Sequence, residues 1–174
     1  MMKKNLKFLG ATAAMLICAV SVHAQATATS NASATIISPI SISKSADMNF
    51  GNLSVDASGG KVILDPSASA SRSSGGAGGV SFPATTGTVS AATFVVSGQA
   101  NFTFSAAVLN SSIQINSGAN IMIVDNFAIS SGAGVLSNLG TQTIYVGADL
   151  TVAGSQAPGV YTSAAPFTVL VNYN

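Results

Sequence analysis

The chain has 174 residues and a formal net charge of +1, and charged side chains make up only 6% of it, against about 25% in ordinary soluble domains. A chain with so few lysines and arginines lacks the clustered cations that neutralise phosphates, which argues against nucleic-acid binding. Its surface must instead consist mostly of Ser, Thr, Asn and Gly.

The first residues have the pattern of an export signal. Three lysines within the first seven residues precede an apolar run of 15 residues over positions 8–22, and Val-His-Ala at positions 22–24 offers a signal-peptidase site. The run is shorter than the roughly 18–20 apolar residues that a transmembrane helix needs. We therefore expect cleavage after Ala24. The mature protein would be exported through the inner membrane to the periplasm, the cell surface or an extracellular fibre.

Removing this segment leaves 150 residues without the chain's only cysteine and only histidine. Three basic and five acidic side chains remain, which gives a net charge of −2. Without cysteine the fold has no disulfides, even in an oxidising compartment. Its stability must come from sheet packing, from a partner, or from both.

Residues 25–35 (QATATSNASAT) alternate small side chains with polar ones and predict an extended segment with little to bury. One interpretation is a frayed terminus. The other is a donor strand that adds to an open sheet edge of another copy. The candidate donor side chains are Ala28, Ser30, Ala32, Ala34 and Ile36.

The next segments predict short strands. Residues 36–43 form one that contains Pro39, which cannot donate to a ladder, so this strand should lie at an edge or carry a bulge. Residues 47–55 give a second strand, broken near Gly51, and residues 60–64 a third.

Residues 67–79 are rich in Ser and Gly and predict a flexible loop. Residues 141–152 give one strand with a break at Gly147, or two strands. Further strands are predicted over residues 92–97, 102–109, 113–116, 121–124 and 127–129.

The closing strand, residues 166–173, places four large side chains on one face, and this face either belongs to the core or flanks a groove that accepts an incoming strand. These four side chains are Phe167, Val169, Val171 and Tyr173.

Short strands separated by turns and poor helix signals predict an all-β fold. The expected architecture is an immunoglobulin-like, Greek-key β-sandwich of short antiparallel strands over residues 36–174. It would follow a signal peptide over residues 1–24 and the extended segment over residues 25–35.

The residue inventory argues against an enzyme. A mature chain without His, Cys or Glu cannot build a usual zinc site or a Ser-His-Asp triad, so we expect no catalytic, metal or cofactor site. Ser41 and Lys44 match the S-x-x-K nucleophile motif, but residues three apart on a strand point to opposite faces. Four of the five aspartates have turn sequences around them and are predicted to bond their own backbone: Asp47, Asp56, Asp65 and Asp125.

An ordered series of short motifs resembles a known family. The motifs are ATAT at 26–29, IISPISISK at 36–44, ADMNFGN at 46–52, VILDP at 62–66, GVY at 159–161 and FTVLVNYN at 167–174. They look like the exported bacterial domain-of-unknown-function family 4402, over essentially the whole mature chain. That family is similar to fimbrial major subunits of the Mat or common-pilus type, which are immunoglobulin-like β-sandwiches.

The resemblance implies a structural subunit of a surface fibre. In such fibres a periplasmic chaperone and an outer-membrane usher assemble copies of the subunit, and the N-terminal strand of each copy completes its neighbour. Classical donor strands carry large apolar side chains, whereas residues 28–34 offer only small ones, so completion within one chain is a rival. A monomeric exported β-sandwich that binds a ligand, or a small outer-membrane β-barrel, are the alternatives to a fibre.

Overall fold

The computed structural model describes residues 24–174, so all but the last residue of the predicted signal peptide lies outside the described part. Ile36–Asn174 forms one unit, distinct from the residues up to Thr35. Residues 24–35 have no regular secondary structure, and their side chains are exposed.

The unit Ile36–Asn174 is built of antiparallel strands, which confirms the all-β prediction. Residues 24–174 contain no helix that could cross a bilayer. The strands are β1 (Ser41–Ala46), β2 (Asn49–Phe50), β3 (Ser54–Val55), β4 (Gly60–Leu64), β5 (Arg72–Gly75), β6 (Val80–Ser81), β7 (Val89–Ser90), β8 (Ala92–Ser97), β9 (Thr103–Val108), β10 (Ser112–Ser117), β11 (Asn120–Ile129), β12 (Ala133–Val135), β13 (Thr141–Val152), β14 (Thr162–Ser163) and β15 (Val169–Tyr173).

The longest strand, β13, is a central strand of an eight-stranded sheet. The sheet runs β1-β8-β13-β11-β10-β14, with β4 also paired to β13 and β5 paired to β4. One edge of β13 pairs first with β8 and then with β4, while β11 pairs along the other edge. Gly147 lies where the partner changes, and a Cβ there would fall on the Leu64 carbonyl oxygen and 2.7 Å from the Pro66 nitrogen. Residues 141–152 are therefore one strand, and the glycine allows a close backbone approach.

A second sheet, β12-β9-β15, faces part of the first. Val96 and Ile144 of the large sheet share a buried cluster with Phe104 and Val171 of the small one. Both sheets thus contribute their inner faces to one core, which is the arrangement of a β-sandwich.

The other half of the large sheet has a discontinuous covering layer. Two short ladders, β2–β7 and β3–β6, pack over it, and each contains two residue pairs. They contribute Phe50 and Val80 to a second buried cluster with Val62, Val124 and Leu150 of the large sheet. No continuous third sheet closes this half within residues 24–174.

Three local predictions need correction or refinement. Residues 121–129 are not two strands but part of the single strand β11, because a register shift between Asp125 and Ala128 accommodates residues 126 and 127 against β13. Asn126 takes a φ of 50° in that irregularity, a value that Asn adopts more readily than most residues. The predicted loop over residues 67–79 contains β5, which pairs with β4.

The first predicted strand starts later than expected. Pro39 precedes β1 rather than lying inside it, and β1 is the edge strand that a proline there predicted. A register shift between Lys44 and Ala46 gives this edge a bulge as well.

Candidate functional site

The most prominent concave feature is a groove of about 940 Å³ over the incompletely covered half of the large sheet. Its floor is a row of cross-strand neighbours: Ile113 of β10 pairs with Val124 of β11, which pairs with Leu150 of β13. Such neighbours lie on the same face of a sheet and form one apolar surface.

Two chain segments form the walls of the groove. Residues 48–55, which follow β1, supply one wall, and residues 156–167, which contain β14, supply the other. The strands β1 and β14 lie at opposite ends of the large sheet. Half-buried apolar side chains line the groove: Met48, Leu53, Val55, Phe94, Ile113, Ile115, Tyr161 and Phe167.

The groove is almost free of charge. Lys44 and Asp47 are its only charged lining residues, and they pair with each other at 2.5 Å while remaining exposed. An occupant therefore meets the apolar floor and uncharged polar side chains of the walls, such as Asn52 and Gln156, rather than an unpaired charge. Uncharged chains with backbone hydrogen-bonding groups suit such a site better than ions do.

Phe167 fills part of the groove. Its ring lies 4.8 Å from that of Phe127 and 6.3 Å from that of Phe94, measured between ring centroids. Edge and tilted contacts of this kind stabilise aromatic clusters.

Side-chain hydrogen bonds fix the 156–167 wall. The Tyr161 hydroxyl donates to the Ala157 carbonyl at 2.7 Å and accepts from Gln156 Nε2 at 2.9 Å. Gln156 Nε2 also donates to the Ile121 carbonyl at 3.2 Å, which ties the wall to β11.

Arg72 of β5 fixes the 48–55 wall. Its guanidinium donates to the carbonyls of Phe50, of Asn52 at 2.7 Å and of Thr86 at 3.5 Å. The same group lies 4.4 Å from the centroid of the Phe82 ring. Burial lowers the pKa of the Arg72 guanidinium below its usual value, although an arginine in a protein stays protonated.

A second polar cluster lies on the large sheet. Lys61 Nζ is 3.4 Å from Asp149 Oδ2 and 3.7 Å from Asp125 Oδ1, and Asn126 Nδ2 donates to Asp149 Oδ2 at 2.9 Å. Asp125 and Asp149 face each other across β11 and β13, so Lys61 offsets the repulsion between two carboxylates. Asp125 was predicted as a turn residue and instead lies within β11. Asp56 does form the predicted turn, since its Oδ1 accepts from the Ser58 amide at 2.6 Å.

The S-x-x-K residues do not act together. Both lie on β1. Ser41 Oγ donates to the Ser97 carbonyl at 3.4 Å, while Lys44 pairs with Asp47. Each polar group therefore has a local structural partner.

The candidate donor side chains are all exposed. Four of them lie in residues 24–35, which form no strand, and Ile36 is 97% exposed at the start of the folded unit. They are Ala28, Ser30, Ala32, Ala34 and Ile36.

The four candidate residues of the closing strand divide between two places. Phe167 lines the groove. Val171 is 8% exposed in the core between the two sheets, and Val169 and Tyr173 pack beside it half-buried. Three of the four thus serve as core, and one borders the groove.

Most of the groove was not identified from the sequence. The alternation of Ile113 and Ile115 indicated one apolar face. No local signal, however, shows that residues 48–55 and 156–167 leave that face partly open. The positions of these two segments, about 100 residues apart in the chain, depend on the topology of the whole domain.

The model of the family described as a domain of unknown function, DUF4402, matches residues 40–173. No curated protein and no solved structure shows significant similarity to the chain.

Proposed function

Because the chain belongs to the DUF4402 family, a domain of unknown function, we propose its role from its geometry: it is a non-enzymatic structural subunit of a bacterial surface fibre, assembled by β-strand addition. The observation that carries this proposal is the pairing of two features in one chain. A nearly uncharged groove with an apolar floor lies over a partly covered sheet, and an uncharged segment without secondary structure precedes the fold.

The chemistry of the segment and of the groove agree. Residues 25–35 carry no charge, so they lose no ion hydration on entering the groove. Eleven residues in extended conformation span about 36 Å, which is long enough for a strand. Ala28, Ala32 and Ala34 bury little apolar area, so backbone hydrogen bonds would supply much of the specificity.

The proposal includes export by the N-terminal signal, and assembly with other copies of the chain, a periplasmic chaperone and an outer-membrane usher. The absence of cysteine after residue 24 fits a subunit that a neighbour completes. A free-standing, exported sandwich that binds a ligand in the groove is the alternative, because about 940 Å³ is also within the range of small-molecule sites.

The first test compares the mature protein beginning at Gln25 with a version beginning at Ile36. Both are run on size exclusion and on unheated SDS gels, and their thermal melts are recorded. We expect ladders from the longer protein that disappear on heating, and only monomer from the shorter one. Equally stable monomers in both cases would refute assembly through the segment and favour the ligand-binding alternative.

A point substitution makes the same test within the full mature chain. Ala32→Asp places a carboxylate in the donor segment, where it would have to enter an apolar groove, and should abolish the ladders. Ala77→Asp is the matched control, since Ala77 lies in an exposed turn of the folded unit. Its ladders should equal those of the unchanged protein.

A further inference from the structure

The wall formed by residues 48–55 makes few strand-to-strand hydrogen bonds with the rest of the fold. Its two ladders, β2–β7 and β3–β6, contain only two residue pairs each. Gly51 separates them with a φ of 69°, a conformation that interrupts a strand. This wall is therefore held by far fewer ladder bonds than the floor strands β10, β11 and β13.

Arg72 reinforces these ladders, beside Asn52, whose amide donates to the Thr86 carbonyl at 2.7 Å and whose Nδ2 donates to the Thr85 carbonyl at 3.0 Å. It is the chain's only arginine, and it holds carbonyls on both sides of Gly51, those of Phe50 and Asn52, with one guanidinium nitrogen. A third bond to the Thr86 carbonyl and the contact with Phe82 fix the guanidinium against the neighbouring loop. Hydrogen bonds from a charged donor are stronger than those between neutral groups.

We infer that Arg72 is a positioning residue of the groove: it sets the 48–55 wall at the distance from the floor that an incoming strand requires. This inference rests on the proposed assembly by strand addition. Arg72 itself does not line the groove, so it acts through the wall. A lysine keeps the charge but loses the planar fork that bridges several carbonyls. Arg72→Lys should therefore move the wall while leaving the sheet floor and the donor segment unchanged.

The test uses the directionality of strand addition. A full mature chain with Arg72→Lys should donate its N-terminal segment but accept poorly, whereas Ala32→Asp should accept but not donate. Arg72→Lys alone should form ladders roughly tenfold more slowly than the unchanged protein, the size expected from losing hydrogen bonds to a charged group, and Ala32→Asp alone should form none. A mixture of the two should give a dimer band and nothing longer. Lys61→Arg is the matched control, because it makes the reverse exchange of cationic side chains at a residue that does not line the groove.

The outcomes separate the inference from the proposed function. If the unchanged protein forms no ladder, assembly by strand addition is refuted, and the role of Arg72 with it. If the unchanged protein assembles and Arg72→Lys assembles equally fast, the positioning role is overturned and the fibre proposal stands. If Arg72→Lys lacks a cooperative melt, Phe82→Leu replaces it, since it loosens the guanidinium without removing it. Ladder formation by Phe82→Leu at the unchanged rate would then overturn the inference.

Discussion

The hydroxyl of Tyr173 donates a hydrogen bond of 2.7 Å to the carbonyl of Ser38, 135 positions earlier in the chain. The same hydroxyl accepts a bond of 2.6 Å from the backbone amide of Gln99. One oxygen atom thus joins the closing strand, the segment that enters β1 and the turn after β8. The start and the end of the folded unit are fixed to each other at this point.

Replacing Tyr173 by Phe should lower the free energy of unfolding by about 1–2 kcal/mol, because it removes two hydrogen bonds and leaves their backbone partners unsatisfied. Urea unfolding followed by tyrosine fluorescence or circular dichroism measures the change in midpoint. Tyr145→Phe is the control, since the bond that Tyr145 makes to a side chain among residues 24–174 is donated by its backbone amide, to Ser130 Oγ, and not by its hydroxyl. Equal midpoints for the two variants would contradict the role of the Tyr173 hydroxyl.

The close approach at Gly147 gives a second stability prediction. A Cβ at this position would meet the backbone of residues 64–66, which cannot move as the end of a side chain can. Gly147→Ala should therefore destabilise the domain by about 1–3 kcal/mol, the usual cost of overpacking. Gly132→Ala is the control, because its nearest neighbour would be the Ala106 carbonyl at 3.7 Å, an ordinary contact. Thermal melts measure the effect. Melting temperatures that are lowered equally in both variants would show that glycine is not required at residue 147.

The contribution of Lys61, Asp125 and Asp149 to the free energy of unfolding should depend on the salt concentration. Lys61→Met removes the cation that lies between Asp125 and Asp149 and leaves two carboxylates facing each other. We expect a loss of about 1 kcal/mol at low ionic strength that shrinks in 1 M salt, because the groups are partly exposed and screened. Unfolding curves at both salt concentrations test this. A loss that does not change with salt would point to the buried stem of the lysine rather than to its charge.

The sequence predicted the strands with strong local patterns and missed those that depend on partners. Residues 60–64 form β4 with the predicted bounds, and Val171, predicted to belong either to the core or to a groove, is buried in the core. Asp125 and Asn126 have the composition of a turn. In the structure they lie within β11, whose ladder with β13 continues past a register shift at this point. Residues 72–75 look like a flexible linker, but β4 supplies a partner edge and Arg72 an anchor.

The groove could be anticipated only in part. Alternating side chains in β10, β11 and β13 predict an apolar face, but periodicity does not say what covers that face. Phe167 was named as a candidate from the alternation within the closing strand, residues 166–173. The walls arise from the positions of the 48–55 and 156–167 segments, which follow from the topology of the whole domain.

The aromatic cluster at Phe167 leads to a prediction about the size of the donor side chains. The Phe167 ring lines the groove and packs against Phe94 and Phe127, so we expect the space beside it to fit the small side chains of a segment of Ala and Ser. Phe167→Ala should deepen the groove and weaken assembly, since small donor side chains would leave a cavity behind.

Larger donor side chains should then restore what Phe167→Ala removes. In the Phe167→Ala background, one of the three substitutions Ala28→Leu, Ala32→Leu and Ala34→Leu should recover ladders on unheated SDS gels, because leucine refills the space. In the unchanged background the same substitution should slow assembly through overpacking. Phe102→Ala is the control, since the Phe102 ring packs against Tyr173 outside the groove and is 40% exposed. If no leucine variant recovers assembly with Phe167→Ala, or if recovery also occurs with Phe102→Ala, the Phe167 ring does not determine which donor side chains fit.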